Sequence, residues 1–430
     1  MTEQLRQNRP SPGGEQAGRT SGRAIQALRH LVVPPTKTTR PLAVTTLMHT
    51  VGTGLVVTLS AIYFTRIVGV SVRELGLGLT VAGLVSLLVG VPFGRLSDRV
   101  GPRGLLVCLL LCQGAAVLMH AFVRSFGTFL LVVILLAVSN QGASAVRSAL
   151  IATAMPPEER VVSRAYLRSV TNAGFAVGTC LASVALASAY RPTYQALLGV
   201  GALCFAAAAA AMLRVPTVPP VERAAAVSPW LALRDMPYTA VVVLNALLQL
   251  HYAVLEVGIP LWVSEHTDAP RRVVSILFLL NTVIIFLLQV PVGRRWGQLR
   301  HAGALSAMAG ALVAVACILL GLSGSVTGLV AVAVLVTAGS VHAVGEVCHT
   351  TGSWSAGFGL APEHAQGQYQ GLFSTGVAAS QVVGAALVTV VVASGTFTGW
   401  LIAACVFAVA GFLMPSAVGW AQRGRTAPVQ

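Results

Sequence analysis

The sequence predicts an all-α membrane protein of twelve transmembrane helices in two six-helix halves. Three observations lead there: an extreme composition, twelve apolar stretches of spanning length, and an internal repeat. Of 430 residues, 55% are hydrophobic and only 10% are charged, with a mean hydropathy of +0.79. Soluble domains carry about a quarter charged residues, so an ordinary soluble enzyme is excluded, and the apolar content excludes a disordered or fibrous chain.

A spanning helix needs about 20 apolar residues, because the hydrocarbon core is about 30 Å thick and each helical residue rises about 1.5 Å. Such stretches fall near 42–64, 75–93, 105–123, 127–149, 165–189 and 192–213, then 239–263, 273–292, 302–322, 326–350, 370–393 and 398–420. The expected domains are a disordered tail over 1–40, a six-helix bundle over 41–213, a linker over 214–238 rich in proline and charge, a second bundle over 239–420, and a tail over 421–430. All six tryptophans sit near expected span ends, where an amphipathic ring favours the interface. The seven cysteines lie within spans without metal-ligand spacing and read as buried apolar residues.

The net charge of +15 resembles a nucleic-acid signature until the charges are placed. With both termini inside, only six of the 28 basic residues face outward: Arg66, Arg73, Arg124, Arg191, Arg271 and Arg272. That is the positive-inside rule, so the charge marks topology in a cell membrane with both termini cytoplasmic, and no nucleic-acid partner is expected.

Val91-Pro92-Phe93-Gly94-Arg95 recurs as Val290-Pro291-Val292-Gly293-Arg294, 199 residues later, and Pro157-Glu158 recurs as Pro362-Glu363. Repeated halves are a transporter architecture, with the site between them. The stretch Gly94 to Arg103 resembles the loop motif G-x-x-x-D-x-x-G-R-[KR] of the major facilitator superfamily: Gly94, Asp98, Gly101 and Arg103 match, Arg99 lies within it, and Pro102 replaces a basic residue. The resemblance covers 40–420 and implies two pseudo-symmetric bundles around a central cavity, with the motif bracing the cytoplasmic ends of the bundles. Asn140-Gln141-Gly142 resembles that family's R-x-x-Q-G, with Val138 in place of the arginine often tied to proton coupling. Gly174 to Gly178 resembles the antiporter motif G-x-x-x-G-P, with Thr179 in place of proline.

In that fold spans 1, 4, 7 and 10 line the cavity, which helical periodicity tests. Span 7 places Asn245, Gln249, Tyr252 and Glu256 on one stripe, with His251 off it and buried between helices. Span 10 places His342, Glu346, His349 and Ser353; span 4 places Asn140, Ser144 and Arg147; span 1 places Thr45, His49, Thr53 and Ser60. Intramembrane charge costs about 2.5–3.5 kcal/mol on insertion scales, so Glu256 and Glu346, with His49 and His342, are the candidates for proton coupling or substrate binding. Arg147 and Glu346 share the 199-residue offset and are expected to pair across the halves as part of an inner gate. Arg164 and Arg168 are read as topology anchors that can attract anions. Asn172, Asn281 and Gln381 are secondary cavity candidates.

No phosphate loop, H-E-x-x-H pair or G-x-S-x-G elbow occurs, so no enzyme, bound metal or cofactor is expected. The expected function is proton-coupled export of a small organic molecule by a monomer in the bilayer, powered by the proton gradient. A sugar or polar-metabolite transporter and a non-transporting receptor of the same fold are the alternatives.

Overall fold

The computed structural model describes residues 39–188, 190–217, 228 and 230–426. The expected tail up to residue 38, most of the linker's proline-rich part and the last four residues lie outside the described residues. Each of the twelve apolar stretches is helical. In order these are α1 Thr39–Ile62, the bent pair α2 Val72–Leu87 and α3 Gly90–Val100, α4 Pro102–Met119, α5 Phe126–Ala154, α6 Pro157–Ser188 and α7 Arg191–Met212. The second half holds α8 Met236–Gln249 with α9 Ile259–His266, then α10 Arg272–Trp296, α11 Leu299–Ser323, α12 Gly328–Gly359, α13 Gln366–Ala393 and α14 Phe397–Thr426. Among the described residues ten helices are long and apolar enough to cross a membrane, and the α2–α3 pair makes an eleventh candidate. Helix α6 spans 32 residues but carries Arg160, Arg164 and Arg168 in its first half. Helix α14 runs to Thr426, into the stretch expected to be a tail.

Local chemistry sets the breaks. The 46° bend between α2 and α3 lies just before Pro92, which has no N–H to return to Leu88. Ser71 with Glu74 and Ser125 with Thr128 close capping boxes at the starts of α2 and α5. The first helix of each half contains a π-helical turn, Tyr63–Val68 after α1 and Val254–Gly258 between α8 and α9. Gly69, with φ of +86°, ends the first of these and returns its N–H to the Phe64 carbonyl.

Each half buries its own core. Leu55, Phe129 and Phe205 centre one cluster; Trp262, Trp400 and Phe407 centre the other. The exterior is studded with exposed apolar side chains, among them Phe122, Leu203, Leu329, Val390 and Phe412, as a lipid-facing surface requires. Two sequence expectations are corrected. Trp262 and Trp400 are buried and meet edge to face at 5.4 Å, because both helices turn these rings toward the bundle axis, so they are core residues and not interfacial anchors. Cys108, Cys112, Cys180 and Cys405 lie on the outer surface of their helices, and only Cys317 and Cys348 are buried; a thiol is apolar enough to face lipid. Trp400→Ala should cost about 3–5 kcal/mol by leaving a cavity against Trp262. A drop in melting temperature of the detergent-purified protein checks this; an unchanged midpoint would refute it.

Candidate functional site

The end of the molecule carrying Gly101 holds the two halves together. Helix α13 begins at Gln366 with Ala365 as its cap residue, which offers no side-chain acceptor. Its exposed N–H groups are taken from the other half instead. The Asp98 carboxylate accepts from the Gly367 N–H at 2.7 Å and from the Gln368 N–H at 3.0 Å. A carboxylate there also meets the positive end of the helix dipole. The approach requires glycine: a Cβ on Gly94 would overlap the Gly367 carbonyl, and one on Gly367 would overlap the Gly94 carbonyl. Arg103 donates to the Leu213 carbonyl within its own half, Gly101 turns the loop at φ of +87°, and Arg99 is exposed.

The repeat copy is built differently. Gly293 and Gly297 face Val161 and Ala165 at the start of α6, but Gly297 stands where the first copy has Asp98, so this contact has no carboxylate cap. Phe358 and Trp354 of α12 join the cluster formed by Met155, Val161, Tyr166 and Leu167, closing the same end with apolar surface.

Beyond this closure lies a cavity of about 230 Å³ between the halves. Its walls include Arg147, Arg164 and Arg168 with Ser144, Gln249, Tyr252, Ser353, Gln370 and Gln381. Arg164 and Arg168 are one turn apart on α6 and so share a face. Arg168 lies over the Tyr252 ring at 5.3 Å and Arg164 near the Trp354 ring at 6.0 Å. Arg147 donates to His49 Nδ1 at 3.4 Å, and His49 Nε2 meets Gln113 Oε1 at 3.0 Å, which holds that guanidinium on its own half. The Nε atoms of Arg147 and Arg168 are buried without a hydrogen-bond acceptor.

The acid that answers these cations is Glu346. Its carboxylate lies 3.8 Å from Arg168 and accepts from Asn281 at 3.1 Å. The expected Arg147–Glu346 pairing is therefore corrected: Arg147 is held by His49, and Arg168 reaches Glu346 across the halves. Beside it, His251 Nε2 meets His349 Nδ1 at 3.2 Å, His349 Nε2 meets Asn245 Oδ1 at 3.2 Å, and His342 Nε2 meets the His251 carbonyl at 3.1 Å.

The expected polar stripes are redistributed. On span 7 only Gln249 and Tyr252 line the cavity; Asn245 is buried behind it and Glu256 is exposed. The cause is the break after Gln249 and the π turn that holds Glu256, which rotate the register away from a 3.6-residue stripe. His251, expected off the stripe, is indeed buried but sits at the hub of the histidine cluster. His342 and His349 are buried within the second half, and of the span 10 stripe only Ser353 lines the cavity. Thr53, Ser60 and Asn140 open instead on a separate, mainly apolar pocket of about 360 Å³ within the first half. Gly174 and Gly178 receive Thr50 and the Val51 carbonyl of α1, so helix packing accounts for them. The cavity walls that sequence reasoning left aside, Thr46, Trp354, Gln370 and Ser374, carry no charge to draw notice. The signal available was Arg164, Arg168 and Thr171 at helical spacing.

The model of the Major Facilitator Superfamily matches residues 42–385. No curated protein matches the chain in sequence. Among solved structures, a bacterial homologue of the iron transporter ferroportin in an outward-facing state superposes with a TM-score of 0.71 at 14% identity, covering 90% of this chain and 100% of that one. The E. coli fucose:proton symporter FucP superposes at 0.64 and 14% identity, covering 90% and 99%, and the proton:xylose symporter XylE at 0.66 and 14%, covering 89% and 95%. At such identities the likeness is one of fold. With a closing loop, a cavity between two helical halves and a family model spanning most of its length, this chain belongs to the Major Facilitator Superfamily.

Proposed function

We infer that the protein is a secondary active transporter of a small organic anion, working by rocking its two halves about the central cavity. The observation that supports this most is the wall of that cavity: it carries three arginines, Arg147, Arg164 and Arg168, and only Arg168 has a buried acid, Glu346, within ion-pair distance. Guanidinium groups in a water-poor site bind carboxylate or phosphate oxygens in bidentate fashion, and the unpartnered Nε atoms leave that capacity unfilled. The glutamine, serine and tyrosine groups around them suit a polar body on the same substrate. This favours an anion over the neutral sugar that the polar stripes alone suggest.

An anion that draws Arg168 to itself must separate it from Glu346, so substrate binding acts on a contact that joins the halves. Release of that contact, with the Asp98 latch, is the step that lets the cavity change sides. In this reading the protein works as a monomer in the plasma membrane with both termini cytoplasmic, so the Asp98 end is the inner one and the described state is closed there. The acids within the spans support export in exchange for protons.

Proteoliposomes loaded with labelled carboxylates, phosphate esters, neutral sugars or cationic dyes test the reading under proton gradients of either sign. Organic anions should be moved, with losses in Arg147→Met and Arg164→Met, and Glu346→Gln should remove the response to the gradient. Movement of sugars or cations but not anions would overturn the substrate class. Accumulation driven by the opposite gradient would replace exchange by symport.

A further inference from the structure

The second half contains a group of ligand-bearing side chains of which the transport reading uses only Glu346. His251, His342 and Glu346 are all buried, at 0%, 0% and 2% exposure, and one ring nitrogen of each histidine and one carboxylate oxygen lie within 4.8 Å of one another. His342 and Glu346 stand one turn apart on α12 and therefore share a face. His251 comes from the broken helix, where the chain leaves α8 before the π turn. No spacing in the sequence announces this cluster, because its third member lies 91 residues from His342.

The hydrogen bonds decide which nitrogens are free. Asn245 Oδ1 can only accept, so His349 carries its proton on Nε2 and presents the Nδ1 lone pair. That lone pair accepts from His251, which therefore carries its proton on Nε2. His342 Nε2 meets the His251 carbonyl, which also only accepts, so its proton is on Nε2 as well. Both rings are left with an unprotonated Nδ1, and both Nδ1 atoms are buried without a hydrogen-bond partner. Two buried imidazole lone pairs without a donor are costly in a packed core, and a cation is the species that satisfies them. The arrangement also has the outer support found at metal sites, where each ligating histidine donates its other N–H to a carbonyl or another acceptor.

We propose that His251 Nδ1, His342 Nδ1 and the Glu346 carboxylate bind one divalent transition-metal ion of zinc-like character. Two imidazoles and a carboxylate suit zinc, iron, cobalt or nickel over magnesium or calcium, and leave a fourth position open. The side chains close in on loading, since such ions hold nitrogen and carboxylate oxygen at about 2.0–2.2 Å. Tyr252 lies against the site, with its ring 4.2 Å from that of His251 and its hydroxyl bonded to Glu346, and Glu256 on the π turn adds a second carboxylate nearby. Asn281 donates to Glu346, and Arg168 lies 3.8 Å from the same carboxylate as a competing cation. Metal binding takes Glu346 from Arg168 and leaves that guanidinium to the cavity, so an ion here would strengthen anion binding. The metal site goes beyond the transport reading and shares only Glu346 with it.

The test uses the full-length protein purified in detergent, stripped with chelator and dialysed against Zn²⁺ without organic substrate. One ion per chain is expected, with no response to Mg²⁺ or Ca²⁺. His251→Gln and His342→Gln should each weaken binding by at least about 10–100-fold. His364→Gln, at a distant 3-10 turn, should not. Arg168→Met should tighten binding, which a merely structural cluster would not do. X-ray absorption of the loaded wild type should show nitrogen and oxygen neighbours with imidazole scattering, a readout that does not depend on any variant folding. Absence of zinc binding, a sulfur shell, or unchanged affinity in both histidine variants would overturn the site. Because no anion is present, that failure leaves the transport reading to its own assay.

Discussion

Arg168→Met is expected to cut anion transport by about 10–100-fold and to lower stability at the same time. Losing one guanidinium contact to a carboxylate or phosphate removes roughly 1.5–3 kcal/mol of charge-assisted bonding. The same change leaves Glu346, 3% exposed in its side chain, with only the uncharged groups of Asn281 and Tyr252 to bond it. Breaking a buried ion pair costs about 3–5 kcal/mol, and the lower end applies because the Arg168 side chain is 35% exposed. The two effects separate in a double variant. Arg168→Met with Glu346→Gln should recover stability, since no charge is stranded, while transport stays lost. A coupling of roughly 0.5–3 kcal/mol between the two sites in thermal or denaturant unfolding is expected. Additive stability changes would show that the 3.8 Å pair carries no energy, and normal transport in the single variant would remove Arg168 from the substrate wall.

Asp98→Ala should shift the molecule toward the state opened at the Gly101 end. The carboxylate caps two N–H groups of α13 that Ala365 cannot cap, and it does so from the opposite half. When the halves part, water takes over those N–H groups, so the net contribution to closure is about 3 kcal/mol, roughly a hundredfold in the equilibrium. Asp98→Asn keeps an acceptor but loses the charge facing the helix dipole, and should fall between wild type and alanine. Distances between spin labels placed across the α3–α13 contact report this directly. Label distances in Asp98→Ala that match wild type would refute the latch. Gly367→Val offers an independent route to the same opening, through the overlap of its side chain with the Gly94 carbonyl and the Asp98 carboxylate.

Much of this was readable in one dimension. The spans were legible because a bilayer forces a long apolar run wherever the chain crosses it, and Gly94, Asp98 and Gly101 stood out by their match to the family's loop motif, while the structure shows Gly94 serving a close helix approach and Asp98 a distant helix cap. Helix α6 was harder: Arg164 and Arg168 at its start look the same in sequence whether they anchor the chain or face a cavity, and only the packing of α6 against α1 and α10 turns them inward. Span 7 misled for a different reason. The stripe from Asn245 to Glu256 assumes an unbroken 3.6-residue helix, while the chain breaks after Gln249 and winds a π turn at Val254–Gly258, sending Glu256 out and leaving His251 against α12.

The sequence by itself determined the membrane class, the two-half organisation, the charge asymmetry and the family, because hydropathy, charge bias and a spaced glycine–aspartate motif are properties of the chain alone. The tertiary structure decided which arginine meets Glu346, that three arginines share one cavity, and that His251 joins His342. Those pairings depend on where helices far apart in sequence come to rest within a few ångströms, and on one register break that no composition records.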